Sequence, residues 1–282
     1  MSDTSKENPT PTLGFIGAGN MASAIISGLL SEGYPPQNIW ATDTSEDRLK
    51  QLHADWGICT TTDNQKAAAS VDVLVLAVKP QVLEVVAKGL RAVLAESKPL
   101  IVSIAAGIMS SSIKSWLGEE TAIVRCMPNT PSLVGEGASG LYANEHVSAL
   151  QRAQAEQVMR AVGIALWVDE EAHLDAVTAV SGSGPAYYFL MMEAMIAAGE
   201  SLGLDAATST KLTLQTALGA AKMALASDVD PAELRRRVTS PKGTTEKAIE
   251  AFEQGGMRTL VNEALEACAE RSKSLAKELG ND

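Results

Sequence analysis

The stretch GFIGAGNMA, Gly14–Ala22, decides how the first half of this chain folds. Gly17, Gly19 and Ala22 fill the spacing G-x-G-x-x-[GA]. The first glycine permits a tight turn, the second lets backbone approach a pyrophosphate, and the small third residue lets helix and strand pack closely. Alone the pattern is weak. Here the apolar run Thr12–Ile16 precedes it and the amphipathic stretch Met21–Ser31 follows it. A strand, a glycine turn and a helix in that order predict a dinucleotide site at the helix N-terminus, built from Gly17, Ala18, Gly19, Asn20 and Met21.

The same alternation continues along the chain. Ile39–Thr42, Val71–Ala77, Leu100–Ile104 and Ala122–Cys126 read as short buried strands, with a further one at Ile164–Val168. The amphipathic stretches Ser45–Trp56 and Gln81–Ala95 lie between them. Strands alternating with helices of this length predict an α/β unit, a parallel sheet covered on both faces. From about Glu170 the rhythm changes. Glu171–Val180, Pro185–Leu202, Asp205–Ala226 and Gly256–Leu279 carry helical periodicity, separated by turns at Glu200–Asp205 and Ser227–Pro231, with Pro231 at a first helical position. The organisation expected is a disordered polar tail over 1–11, a Rossmann-like dinucleotide-binding domain over 12–169 and an all-helical domain over 170–282. Met191, Met192, Met195 and Met223 dot the helices with more apolar surface than a small bundle needs; this reads either as an oligomer interface or as a generous core.

A net charge of −11 over 282 residues argues against general nucleic-acid binding, which relies on a basic surface. The run Arg235–Arg237 is the local exception, a solvated helix end or an aid to attracting anions. No apolar run has the length of a membrane span, and the first residues, MSDTSKENPTPT, lack the apolar stretch of a signal peptide. The three cysteines, Cys59, Cys126 and Cys268, are scattered and form no C-x-x-C, so neither a disulfide framework nor a metal site is expected, and a cytoplasmic location fits.

Further candidates sit at predicted strand ends, where ligands of open α/β sheets bind. Asp43 follows the second strand, either to accept a hydrogen bond from the ribose 2′-hydroxyl of NAD and repel the 2′-phosphate of NADP, or to cap the next helix. Thr44, Ser45 and Arg48 beside it offer a phosphate site instead. Ala77, Val78, Lys79 and Pro80 end the next strand, with Lys79 either an exposed loop lysine or a cation at the cofactor crevice. Ala105, Ala106 and Gly107 leave room for a ring. Asn129, between two prolines in MPNTP, either contacts a ligand or stabilises its turn. In the helical half, SGSGPAY and SPKGTTEKAI each lead into a helix through glycine, serine and threonine, a seat for an anion because the first backbone N–H groups are exposed there. His53, His146 and His173 stand beside no motif, and no nucleophile–base pair accompanies these loops, so the chemistry falls to a cofactor.

Taken together, FIGAGNMA, AVKPQ, SIAAGI, MPNTP, AVSGSGPAY and VTSPKGTTEKAI followed by GGMRTLVNEALEA resemble pyrroline-5-carboxylate reductase, in order and spacing from about Leu13 to Leu275. The resemblance implies hydride transfer from NADPH or NADH to 1-pyrroline-5-carboxylate, giving L-proline. It implies cofactor contacts from the glycine turn, Asn64, Ala77–Lys79 and Ala106, and substrate contacts from Glu171, Ser240, Gly243, Thr244 and Thr245, with the Thr245 hydroxyl near the ring nitrogen. It also implies a homo-oligomer, a dimer or a decamer built of dimers. Two positions depart from the family pattern: Asp43 stands where many relatives have a small hydroxyl or other non-acidic residue, and Lys242 where some have glycine. A β-hydroxyacid dehydrogenase of related architecture is the nearest rival, but PAYYFLMMEA after Gly184 lacks the catalytic Lys and Asn of that family. A non-catalytic dinucleotide-binding regulator predicts degraded substrate loops, and both loops are intact.

Overall fold

The computed structural model describes residues 10–280, so the tail expected over 1–11 lies, apart from Thr10 and Pro11, outside the described residues. The chain divides into two compact units. One takes the described residues up to Ser183 and those from Cys268 on; the other is Gly184–Ala267. The division therefore falls later than the expected boundary after residue 169, and the C-terminal segment returns to the first unit.

The first unit is built on an eight-stranded sheet of order β3-β2-β1-β4-β5-β6-β7-β8. Its strands are β1 (Leu13–Ile16), β2 (Ile39–Thr42), β3 (Cys59–Thr61), β4 (Val73–Leu76), β5 (Leu100–Ser103), β6 (Ile123–Met127), β7 (Gly137–Ala143) and β8 (Gly163–Trp167). Every pairing is parallel except β6 with β7. Along β1, β4 and β5 every residue is buried, which is why these strands read as unbroken apolar runs. Alternate residues enter two cores: Phe15, Val73, Val75 and Val102 on one face, Ile16, Leu74, Leu76 and Ile101 on the other. The helices between the strands are α1 (Asn20–Ser31), α2 (Glu46–Trp56), α3 (Asn64–Ala68), α4 (Pro80–Ser97), α5 (Ser110–Leu117) and α6 (Ala149–Arg160), followed by α7 (His173–Val177) and a π-helical turn, Thr178–Gly182. Strand order reverses direction between β1 and β4, the switch point at which ligands of such sheets bind.

Two strands depart from the sequence expectation. β3 is a three-residue edge strand, too short to show a pattern. β7 reads GASGLYA, poor in β-branched residues, because close neighbours crowd its glycines: a Cβ on Gly140 would lie 2.6 Å from the Val177 side chain, and one on Gly137 2.7 Å from the Val162 carbonyl. The helical stretch expected over Glu171–Val180 is present, running unbroken from His173 as α7 into the π-helical turn.

The second unit holds α8 (Gly184–Ser201), α9 (Ala206–Leu225), α10 (Pro231–Arg237), α11 (Thr244–Gln254) and the first turns of α12 (Met257–Gly280). Asp205 and Asp230 cap α9 and α10 through the Thr208 and Glu233 N–H groups, and Pro231 takes the first helical position. Arg235–Arg237 fill the last turn of α10, where cations complement the helix dipole. Among the described residues of this unit no large apolar side chain is buried; Gly184, Ser209 and Thr213 alone are. Leu202 is 87% and Leu225 84% exposed. Met191, Met195, Phe252, Met257 and Val261 line an apolar groove of about 700 Å³, edged by Arg235, Glu253 and Arg258. Among the described residues no helix is long and apolar enough to cross a membrane.

Gly28 offers a test of the packing. It lies within α1, where alanine ordinarily stabilises a helix by about 1 kcal/mol over glycine. A Cβ there would fall 2.2 Å from the Ala161 carbonyl oxygen. Gly28→Ala should therefore lower stability, by about 1–3 kcal/mol as for overpacked cores, in a denaturant titration. A gain in stability would contradict the close approach.

Candidate active site

The glycine-rich turn is fixed by backbone on both sides. Gly17 donates its N–H to the Thr42 carbonyl at 3.1 Å, and Ala77 donates to the Ile16 carbonyl at 2.9 Å, tying the ends of β1, β2 and β4 together. Gly17 adopts φ +97°, and a Cβ on it would lie 2.9 Å from the Ala77 oxygen; glycine is required by both conformation and space. Gly19 is different. It stands at the N-cap of α1 with extended backbone, and a Cβ there would meet nothing within 4 Å. No side chain caps α1, so its first N–H groups face that open space beside Asn20 and Met21. An uncapped N-terminus with room in front of it fits a pyrophosphate.

The neighbouring strand ends complete this edge. Asp43 follows β2; its Oδ2 accepts the Ala18 N–H at 3.2 Å and its Oδ1 the Ser45 N–H at 3.0 Å, while Ser45, not Asp43, caps α2. Asn64 opens α3 under the cap of Asp63. Val78 and Lys79 lead into α4, with Lys79 exposed at its N-cap and Pro80 at its first position. Ala105 is buried behind β5, Ala106 is exposed, and Gly107 turns with φ +73° against Leu275 and Leu279 of α12. The structure thus brings the glycine turn, Asp43, Ala77–Pro80 and Ala105–Ala106 to the carboxyl ends of neighbouring parallel strands.

Asn129 and Glu171 are engaged elsewhere. The Asn129 side chain is buried, accepting the Ala138 N–H at 2.9 Å and donating to the Ser181 carbonyl at 3.0 Å, so the turn-stabilising alternative is the one whose bonds are present. Glu171 receives three donors: the Ser110 N–H at 2.6 Å, the Ser110 hydroxyl at 2.7 Å and Arg125 Nη1 at 2.8 Å. The pair is nearly dry, with side-chain exposures of 11% for Arg125 and 15% for Glu171. Sequence reading missed Ser110 and Arg125. The signal was a lone arginine inside the strand IVRCM, since a buried charge implies a partner.

In the helical unit the SPKGTT loop forms a tight entry to α11. Gly243 donates to the Ser240 carbonyl at 3.0 Å, and a Cβ on Gly243 would lie 2.9 Å from that oxygen. Lys242 takes φ +60°, a left-handed conformation that glycine adopts at no cost. Its N–H donates to Glu246 Oε2 at 2.7 Å. Gly243 is the N-cap and supplies no side chain, so the Thr244 and Thr245 N–H groups carry no side-chain cap, and both residues are exposed. The SGSG segment meets a neighbouring helix: the Cys268 thiol on α12 donates to the Ser183 hydroxyl at 3.3 Å. All three cysteines are free, and among the described residues no cluster of three or more His, Cys, Asp or Glu side chains could hold a metal.

The chain is similar to known proteins over nearly its whole length. Residues 171–275 match the family model described as pyrroline-5-carboxylate reductase dimerisation, and residues 12–107 one described as NADP oxidoreductase coenzyme F420-dependent. A pyrroline-5-carboxylate reductase of Pseudomonas aeruginosa is 55% identical over 271 residues, covering 96% of this chain and 99% of its own. The structure of a pyrroline-5-carboxylate reductase from Coxiella burnetii superposes with a TM-score of 0.93 at 48% identity, covering 95% of this chain and 99% of its own. That of Plasmodium falciparum pyrroline carboxylate reductase with NADP bound gives 0.83 at 31% identity, covering 95% and 98%.

The buried ion pair yields a stability test. Glu171→Gln should cost about 3–5 kcal/mol in chemical denaturation, because it leaves the Arg125 charge buried without its partner. Replacing both residues by apolar ones of similar volume should cost less. A Glu171→Gln loss below about 1 kcal/mol would mean that the pair does not hold α5 and the segment after β8 to the sheet.

Proposed function

The chain belongs to the pyrroline-5-carboxylate reductase family, and we propose that its reaction, the reduction of 1-pyrroline-5-carboxylate to L-proline in proline biosynthesis, uses the residues of the two glycine-marked helix starts. When bound, the reduced nicotinamide dinucleotide supplies the hydride that ends on C5 of the cyclic imine. The α1 N-terminus with Gly17, Ala18, Gly19, Asn20 and Met21 holds the pyrophosphate, and Asn64, Ala77–Pro80, Ala105 and Ala106 border the rest of the dinucleotide. Asp43, held by two backbone N–H groups at the end of β2, favours a ribose hydroxyl over a phosphate, so NADH is the preferred form.

The uncapped N-terminus of α11 is the observation that carries the substrate assignment. The N–H groups at Gly243–Thr245, with Ser240 beside them, hold the substrate carboxylate, since a helix start favours an anion. The Thr245 hydroxyl is the hydrogen-bond partner of the ring nitrogen. A threonine hydroxyl is a poor acid at neutral pH, so the proton is already on the imine nitrogen or comes through water. That protonated imine is also the better electrophile, because its nitrogen takes the electron pair. These residues act by orientation, an effect worth about 7–11 kcal/mol of barrier in favourable cases. Glu171, the further substrate contact that the resemblance implies, is held by Ser110 and Arg125.

A helical unit without a buried apolar core, matched by a dimerisation model, supports a homo-oligomer, assigned here as a dimer or a decamer of dimers. Three free cysteines suit the cytoplasm.

Purified protein with 1-pyrroline-5-carboxylate should oxidise NADH, and more slowly NADPH, with formation of proline, followed by the loss of reduced-nicotinamide absorbance. Thr245→Ala should lower kcat by about 10- to 100-fold with an unchanged melting temperature, the range expected for one lost hydrogen-bond partner. Cofactor binding without imine-dependent oxidation would defeat the assignment, and unchanged Thr245→Ala kinetics would remove that residue from the mechanism.

A further inference from the structure

Two opposite charges grip the two backbone groups of one residue in the glycine-rich turn, Ala18. Asp43 accepts the Ala18 N–H at 3.2 Å, and Arg48 Nε donates to the Ala18 carbonyl at 3.4 Å. The acid is a conformational fit to the end of β2. The arginine, in the first turn of α2, is harder to explain. It is half-buried, and its side-chain hydrogen bonds all end on uncharged oxygens: the Ala18 carbonyl, Gln51 Oε1 at 3.5 Å and Ser23 Oγ at 2.7 Å. Among the described residues it forms no ion pair. Two of the three bonds lie at the long limit of hydrogen bonding, so the Ser23 hydroxyl is its one short contact.

A guanidinium partly withdrawn from water and bonded only to neutral acceptors is ready for an anion. Charge-assisted bonds to phosphate are roughly twice as strong as bonds to neutral oxygens, and the arginine fork suits phosphate geometry. The position narrows the choice of anion. At the end of the second strand of such a sheet, an acid takes the ribose hydroxyls of one dinucleotide, while a nearby arginine accommodates the 2′-phosphate of the other. This chain holds both devices, on either side of Ala18.

We propose that Arg48 is the residue that admits the 2′-phosphate of NADPH, and that Ser23 holds it in reserve when NADH is bound. With NADH, Asp43 meets the ribose hydroxyl and Arg48 stays on Ser23. With NADPH, Arg48 leaves Ser23 and pairs with the 2′-phosphate, offsetting the repulsion from Asp43. The proposal rests on reading this edge of the sheet as the dinucleotide site.

Isothermal titration with ADP-ribose and with 2′-phospho-ADP-ribose tests it on the full-length protein, without any turnover. Arg48→Gln should weaken the phosphorylated ligand at least tenfold and ADP-ribose less than twofold, and Arg48→Lys should recover part of the loss. Ser23→Ala should tighten the phosphorylated ligand about threefold and leave ADP-ribose unchanged. Equal weakening of both ligands by Arg48→Gln would show that Arg48 only braces the turn, and no change in either would show that it does nothing; both overturn the proposal. An unchanged preference in Ser23→Ala overturns the part given to Ser23. Wild-type protein that binds neither ligand overturns the dinucleotide reading itself, and the Arg48 proposal with it.

Discussion

The first unit hangs on a place where three strand ends meet with no side chain between them. Gly17 must come close enough to donate to Thr42 on one side, and on the other it leaves no room for a Cβ beside the Ala77 carbonyl. That approach sets where β1 stops and where α1 begins, and so aims the helix N-terminus across the carboxyl edge of the sheet. It also places Asp43 and Ala77–Pro80, which follow the two flanking strands, on either side of the turn. The order β3-β2-β1-β4 puts the topological switch at this point. A binding edge of this kind is a by-product of closing the sheet, and only its charges are free to vary.

The helical unit obeys a different constraint. Burial of apolar surface is the main favourable term in folding, at roughly 25 cal/mol per Å². Yet within Gly184–Ala267 no large apolar side chain is buried among the described residues. Capped helices and exposed ion pairs such as Arg237–Glu233 contribute little each. A unit of this composition gains stability when its apolar faces are covered. This is the physical sense in which the dimerisation match and the exposed methionines, leucines and phenylalanines agree.

How much of this was readable in the sequence varies from element to element. β2 was bounded residue for residue, and β1, β4 and β5 to within a few residues, because buried parallel strands demand unbroken apolar runs. β7 was not, because its glycines answer to Val177 and to the Val162 carbonyl, contacts distant in sequence. The glycine turn was legible since its spacing encodes a backbone geometry. Asn129 was legible as important but not as a staple between Ala138 and Ser181, which depends on tertiary placement. The same holds for Glu171: a resemblance pointed to it, whereas its tie to Arg125 and Ser110 joins residues 46 and 61 positions apart. Lys242 is the opposite case: its left-handed backbone, which favours glycine, is a local strain that its side chain gave no sign of.

One consequence follows from the last helix. The sheet unit is made of chain from both ends: Leu279 packs on the core face that holds Leu83 and Ile113, and Leu275 closes over Gly107. On the ribosome, the strands emerge long before this segment, and the helical unit is synthesised in between. The nucleotide-binding half therefore completes its packing only after this segment of α12 has been made. A stretch of chain made late thus seals a core whose strands were made early.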